Sequence, residues 1–461
     1  MQKYISSHIS IAPLVVFRVL FGFIMLVSTI RFAFRGWIYE LYIKPDFFFT
    51  YYGFDWVQPL GEWGMYTLFF VIGLSALCMM LGYRYRLFSV LFFLCFTYVE
   101  LIDKTNYLNH YYFVSIISFL LMLVPAHRNF SLDVVRNPSL RLQKVPAWTI
   151  NIFKLQLGLV YFFAGLAKLN PDWMLHALPL KIWLPAQSHL PLIGWLFEYE
   201  WSAFLFSWAG AFYDLTIVFF LLYKPTRWLA YIAVIAFHLM TYFLFQIGMF
   251  PFIMILCTLI YFSAEFHQRL IDWAKKGWHF VARRSKQVSN EYSTFAYQPS
   301  RLTKKVLATV LVIHFILQVL IPFRFLLYPG HLFWTEQGYR FSWRVMLMEK
   351  AGHTIYEVYN PETDRRWEAA NYDFLTPNQE KMMATQPDMI LQFAHYLENY
   401  YQDKGIKDPE IRVKAHVTLN NHKNKLLVDP SVDLTKVKRG FTPKYWLNPF
   451  NDNQENWSTR N

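Results

Sequence analysis

The stretch ELIDKTNYLNHYYF, residues 100–113, gathers Asp103, Lys104, Asn106, Asn109 and His110 between two of the most apolar runs in the chain. Polar groups are costly where lipid replaces water, so the fold turns on what this knot does at the mouth of an apolar segment. The surrounding chain is 55% hydrophobic and 20% aromatic, with a mean hydropathy of +0.22 and only 16% charged residues. Soluble domains carry about a quarter charged residues. One or two soluble cores cannot hide this much apolar surface, so lipid must solvate much of it.

Runs of spanning length lie near 12–30, 63–83, 86–102, 110–126, 149–168, 201–223, 227–247, 248–264 and 305–325. They predict an all-α polytopic membrane bundle of about nine transmembrane helices. MQKYISSHIS leads into the first run without a small-residue cleavage site, so a retained span is expected and not a removed signal peptide. Cys78, Cys95 and Cys257 lie far apart inside apolar runs, without disulfide or zinc spacing.

Loop charges set an orientation. Arg84 and Arg86, then Arg128, Arg136, Arg141 and Lys144, then Lys224 and Arg227 fall on one side, joined by the basic 265–304 loop. The opposite loops balance Arg31, Arg35 and Lys44 with Glu40, Asp46, Asp55 and Glu62. Basic loops stay cytoplasmic, which puts the N-terminus in the cytoplasm and the C-terminus outside. The net charge of +13 is therefore largely topological, and nothing points to nucleic acid.

After Tyr328-Pro329-Gly330 the composition turns polar. PDMILQFAHYLENYY (387–401) puts Met389, Phe393, Tyr396, Leu397 and Tyr400 on one helical face, and EIRVKAHVTL (410–419) alternates as a half-buried strand. The expected division is a transmembrane catalytic domain, 1–328, and a small extracytoplasmic α+β domain, 329–461.

Topology places Asn109 and His110, opening the fourth span, at the depth of Lys168, which ends the fifth in YFFAGLAKLNPDW (161–173). Lys168 either snorkels to the headgroups or is boxed in, since Ala164, Gly165 and Ala167 let neighbouring helices approach. A boxed, desolvated lysine is a free amine able to act as a base. His110 alone reads as a structural histidine and Asn109 as a helix cap, while Asp103 and Lys104 pair with each other in an exposed loop. Asp214 and His238, near the middle of the sixth and seventh spans, are expected to face inward and hydrogen-bond each other. Histidines 110, 238 and 314 on separate spans permit a bis-imidazole haem, without a haem-attachment motif. No nucleophile elbow, zinc-protease helix, phosphate loop or dinucleotide fingerprint is present.

LIDKTNYLNHYYF and YFFAGLAKLNPDW resemble the vitamin K-dependent γ-glutamyl carboxylase family, as do VFRVLFGFIML (16–26), SALCMMLGYRYR (75–86), FHLMTYFLFQIGMF (237–250) and VDPSVDL (428–434). FSWRVML (341–347) is similar more weakly, and the likeness runs collinearly from about residue 12 to 434. The resemblance implies an integral membrane enzyme that oxygenates reduced vitamin K, a naphthoquinol, to its epoxide with O2. It further implies that the base so generated drives addition of CO2 to a protein glutamate. Lys168 matches the lysine that deprotonates the quinol, and His110, with Asn109 beside it, the histidine that stabilises developing charge. Tyr161, His238, Gly248, Met249 and Phe250 match segments lining the quinone site. The implied partners are membrane lipid, the quinol and a glutamate-containing peptide.

Departures accompany the match. The family's paired lysines read Ala167-Lys168, the cysteine pair of animal members is absent, and the large extracytoplasmic extension of those members lies beyond position 461. Two other readings stay open: a quinol epoxidase without protein carboxylation, and a transporter or lipid-handling protein, against which the lack of paired inverted halves counts.

Overall fold

A computed structural model describes residues 7–245, 247–281, 297 and 300–450. Its first part is a bundle of long apolar helices: α1 (Ala12–Phe34), α2 (Gly61–Leu81), α3 (Tyr85–Ile102), α4 (Asn109–Leu123), α5 (Trp148–Lys168), α6 (Glu200–Leu222) and α7 (Arg227–Phe245). After α7 come α8 (Phe250–Thr258), the amphipathic α9 (Ala264–Val281) and α10 (Arg301–Phe323). A two-stranded ribbon, β1 (His8–Ser10) with β2 (Lys144–Pro146), ties the start of α1 to the start of α5.

Every expected span is a helix, but two differ from the expectation of about nine full crossings. Among the described residues seven helices are long and apolar enough to cross a membrane, or eight if a bent pair counts as one. α4 has only 15 residues, because Pro125 follows closely and the polar knot occupies its other end. The eighth segment breaks after Tyr261, and the chain turns by 117° into α9. α7 and α8 are separated by a turn in which Gly248 takes a φ of 66°, a left-handed conformation that favours glycine.

Small residues set the close contacts. A Cβ on Gly22 of α1 would fall 2.7 Å from the Met80 amide of α2, and one on Gly165 of α5 would fall 2.8 Å from the Leu215 amide of α6. Backbones meet at both points, as the packing of helices in lipid favours.

The C-terminal part is α+β, as its patterning predicts. An antiparallel sheet runs in the order β4 (Arg365–Ala369), β3 (Lys350–Asn360), β5 (Glu410–Leu419), β6 (Lys425–Leu426). The alternating Ile411, Val413, Ala415, Val417 and Leu419 of β5 are all fully buried. They join Met389, Phe393 and Leu397 of α12 (Pro387–Asp403), which follows α11 (Pro377–Met383). Thr376 opens α11 with a reciprocal capping box to Gln379.

Candidate active site

α6 begins farther out than α5 ends. Its first turns pack on the segment after α5, where the Trp173 indole donates to the Ser207 carbonyl at 2.8 Å and the Trp208 indole to the Met174 carbonyl at 2.8 Å. This overhang lowers Asp214 to the level of Lys168. Lys168 Nζ donates to Asp214 Oδ2 at 2.6 Å, the side chains being 8% and 6% exposed. The ammonium also lies 3.4 Å from the Ala164 carbonyl and 5.4 Å from the Trp173 ring centre. Lys168 is thus boxed in and does not snorkel. It is also not a lone amine, because a carboxylate shares its proton.

The expected bond between Asp214 and His238 is not formed. His238 instead meets the hydroxyl of Tyr161 through Nε2 at 3.0 Å, and Asp214 is taken by Lys168. The two dyads line one cavity of about 540 Å³ between α5, α6, α7 and α8. Its remaining walls are largely apolar, including Trp173, Leu205, Phe237, Leu244 and Met254. Nδ1 of His238 is buried without a hydrogen-bond partner among the described residues.

His110 and Asn109 line a second, larger cavity of about 1190 Å³, between the bundle and the C-terminal part, as do Gly248 and Met249. Phe250 belongs to both cavities, with Ile247, Val345 and Met346. Its ring stacks on His110 at 5.7 Å and meets the edge of His238 at 5.9 Å. The structure therefore brings Lys168, Tyr161, His238 and Phe250 together, adds Asp214, and sets His110 on the far side of the Phe250 ring. Gly248 and Met249 face the polar side of that ring and are absent from the apolar chamber.

Asn109 is not a cap: Leu108 holds that position and Asn109 is already helical. Its amide donates to the Arg344 carbonyl at 3.0 Å, while its oxygen accepts from Tyr107, whose hydroxyl in turn accepts from the Phe341 amide at 2.8 Å. The loop held this way is strained, with φ of 61° at Phe341, 58° at Trp343 and 53° at Met346. Non-glycine residues adopt such angles at a cost of about 1–3 kcal/mol each, and they concentrate at functional sites.

Residues 7–266 match the HTTM domain, and residues 303–453 match the domain described as vitamin K-dependent gamma-carboxylase, lumenal domain. The chain belongs to the vitamin K-dependent gamma-carboxylase family. It is accordingly a multi-pass membrane protein with a lumenal-type C-terminal domain. No solved structure matches it.

In this gamma-carboxylase family member the polar knot fastens the two parts together. Asp103 and Lys104 are both buried and do not pair with each other in an exposed loop, correcting that expectation. Asp103 accepts from Gln379 of α11 at 3.0 Å, and Lys104 meets Asp388 of α12 at 2.9 Å, alongside Arg340 at 2.8 Å. Burial, only partly offset by Asp388, pushes the Lys104 ammonium down to about 8. His314 bonds Gln156, which donates to Gln318, which donates to Tyr112, a chain that fastens α10 to α4 and α5. Among the described residues no three His, Cys, Asp or Glu side chains cluster as a metal ion would need.

Proposed function

We propose that this chain converts a reduced naphthoquinol to its epoxide in the apolar chamber and couples that step to carboxylation of a glutamate side chain. The observation that carries the reading is the Lys168–Asp214 pair, closed at 2.6 Å in a cavity that the Tyr161–His238 dyad also lines. A naphthoquinol is a flat apolar ring with two hydroxyls, and these residues suit it. The chamber has the volume of a small-molecule site, about 300–1,000 Å³. The bondless Nδ1 of His238 offers one hydroxyl a partner, and the aromatic walls exclude water. When bound, the quinol supplies, through its oxygenation, the strong base that takes a γ-proton from glutamate so that carbon dioxide adds.

The protein's contribution begins with a proton. Written as ammonium–carboxylate or as amine–carboxylic acid, the Lys168–Asp214 pair is neutral and one proton short of full protonation. Taking a phenolic proton makes it a monocation beside the new phenolate, so no net charge is created in the dry cavity. Tyr161 and His238 orient the hydroxyl, and Phe250 divides the quinol from the polar cavity. His110, on the far side of that ring, is placed to donate toward charge developing there, an effect that is large where water is excluded. The loop charges support a cytoplasmic N-terminus and an extracytoplasmic C-terminal domain.

The test pairs two readouts. Purified protein given a reduced naphthoquinol and oxygen should form epoxide and should incorporate labelled carbon dioxide into a glutamate peptide. Lys168→Ala should abolish both. Epoxide with no label would reduce the reading to quinol oxygenation, and wild-type epoxide formation by Lys168→Ala would remove Lys168 as the base.

A further inference from the structure

Lys154 is a charged side chain inside a spanning helix that the chamber chemistry does not use. It is the seventh residue of α5, about 21 Å along that helix from Lys168, toward the end of the bundle away from the C-terminal part. The side chain is half-buried, and its ammonium has no hydrogen-bond or ion-pair partner among the described residues. Other cations sunk into this end are satisfied by carbonyls. Arg18 donates to Phe130 at 2.6 Å and to Ala126 at 3.2 Å, and Arg86 donates to Met122 at 3.2 Å. A lysine within a span is costly unless something completes it.

Its surroundings make the cost larger, because they are also positive. The charge that acts on Lys154 is that of Arg227, the first residue of α7, and Lys154 acts in turn on the buried His267 of α9. Three elements are locked together here. Tyr261, just after α8, donates its hydroxyl to the Lys154 carbonyl at 2.6 Å. Trp228 meets the rings of Phe262 and Phe266 edge-on at 4.6 Å and 5.6 Å. Arg227 donates through Nε to the Leu221 carbonyl at 2.8 Å and through Nη2 to the Leu222 carbonyl at 3.0 Å. Those bonds fix the guanidinium at the end of α6 but leave its full charge in place. The acids of α9 are engaged elsewhere: the exposed Glu265 acts with Lys224 and Arg269, and Asp272 pairs with Lys275 at 3.6 Å.

The flank of this basic pair is apolar and open. Trp228, Leu229 and Ile232, on the turns of α7 that follow Arg227, are all exposed large hydrophobic side chains. On a spanning helix such a surface meets acyl chains.

We propose that Lys154 and Arg227 hold the phosphate of an anionic phospholipid seated where α5, α7 and α9 meet, its acyl chains lying along Trp228, Leu229 and Ile232. Basic pockets between spans are a known way of gripping anionic headgroups. A guanidinium already fixed in place offers planar donors to phosphate oxygens, and the lysine adds a point charge. The phosphate supplies the counter-charge that no nearby carboxylate gives, and the apolar flank selects a lipid over a soluble phosphate. This site lies most of a helix length from the apolar chamber, so the inference does not rest on the carboxylase reading.

The full chain in detergent is equilibrated with equal amounts of phosphatidylglycerol and phosphatidylcholine of matched acyl chains, washed, and the retained lipid counted by native mass spectrometry. Wild type should retain phosphatidylglycerol over phosphatidylcholine by about tenfold. Lys154→Met should lower that ratio about fivefold, whereas Lys154→Arg, which keeps the charge, should hold it near wild type. Each variant is judged by its own ratio, so a general loss of folding cannot imitate the result. Glycerol 3-phosphate, which offers the phosphate without acyl chains, should not displace the retained lipid. Equal wild-type retention of the two lipids, an unchanged ratio in Lys154→Met, a ratio as low in Lys154→Arg as in Lys154→Met, or displacement by glycerol 3-phosphate would overturn the proposal.

Discussion

Lys168 Nζ and Asp214 Oδ2 lie 2.6 Å apart on neighbouring helices, in a polar contact between α5 and α6 that faces the apolar chamber. Each charge is the other's only ionic partner among the described residues. An isolated ion at this depth would cost far more than the pair does, and the pair in turn is worth little to stability compared with apolar side chains of equal volume. Its retention is therefore better accounted for by chemistry than by packing.

The pair's thermodynamics separate it from ordinary glue. Asp214→Asn leaves Lys168 buried and uncompensated, a loss of about 3–5 kcal/mol for a broken buried pair. Thermal unfolding of that variant should begin well below wild type. The double variant Lys168→Met with Asp214→Leu should recover most of the lost stability and still form no epoxide. If the double variant is no more stable than Asp214→Asn, the two residues do not act as one unit.

Much of the fold was legible in the sequence, and the side-chain pairings that were not have a common cause. Hydropathy located the helices and period-two alternation gave β5, because each depends on residues close together in the chain. Pairing between helices depends on their relative heights. Counting from helix ends puts Asp214 near mid-membrane, but α6 starts beyond the end of α5 and packs on Trp173 and Met174, which lowers Asp214 to Lys168. The same kind of long-range docking turned Asp103 and Lys104 toward Gln379 and Asp388, partners hundreds of positions away. The wall at Phe250 was equally invisible, since it forms only where α8 meets the 341–346 loop.

That loop gives the next prediction. Tyr107 and Asn109 hold it through the Phe341 amide and the Arg344 carbonyl, and its Val345 and Met346 complete the wall between the cavities. Tyr107→Phe removes the hydroxyl alone. It should lower carboxylation several-fold while sparing more of the epoxide yield, so that epoxide formed per carboxylate added rises. An unchanged ratio would show that the tie is only structural.

His110→Ala tests the polar side of the wall. A donor aimed at developing charge in a dry site is worth about 10²–10³ in rate. Carboxylation should fall by about that factor with the unfolding temperature nearly unchanged, since His110 makes ring contacts with Tyr111 and Phe250 but no side-chain hydrogen bond among the described residues is lost with it. A protein that fails to fold would make His110 a structural residue.

The junction of the two parts should respond to pH through Asp388 and Lys104. Burial alone would raise the Asp388 carboxyl, but Arg340 and Lys104 outweigh it and hold the group well below the usual carboxylate range. Its unfolded value is about 3.9, so the stability it contributes is fully present above that pH and is lost as pH falls toward its depressed folded value. Lys104 works in the opposite range. Its folded value of about 8 lies below the ~10.4 of a free lysine, so the unfolded chain binds more protons between those values and stability rises with pH across that window. Unfolding followed from pH 3 to pH 10 should show a wild-type decline below about pH 4. Asp388→Asn should be less stable at neutral pH, because it leaves Lys104 and Arg340 without their shared partner, and its acid decline should be shallower. Lys104→Met should remove the rise above pH 8. Equal acid slopes in wild type and Asp388→Asn would mean that this carboxylate does not hold the C-terminal domain onto the bundle.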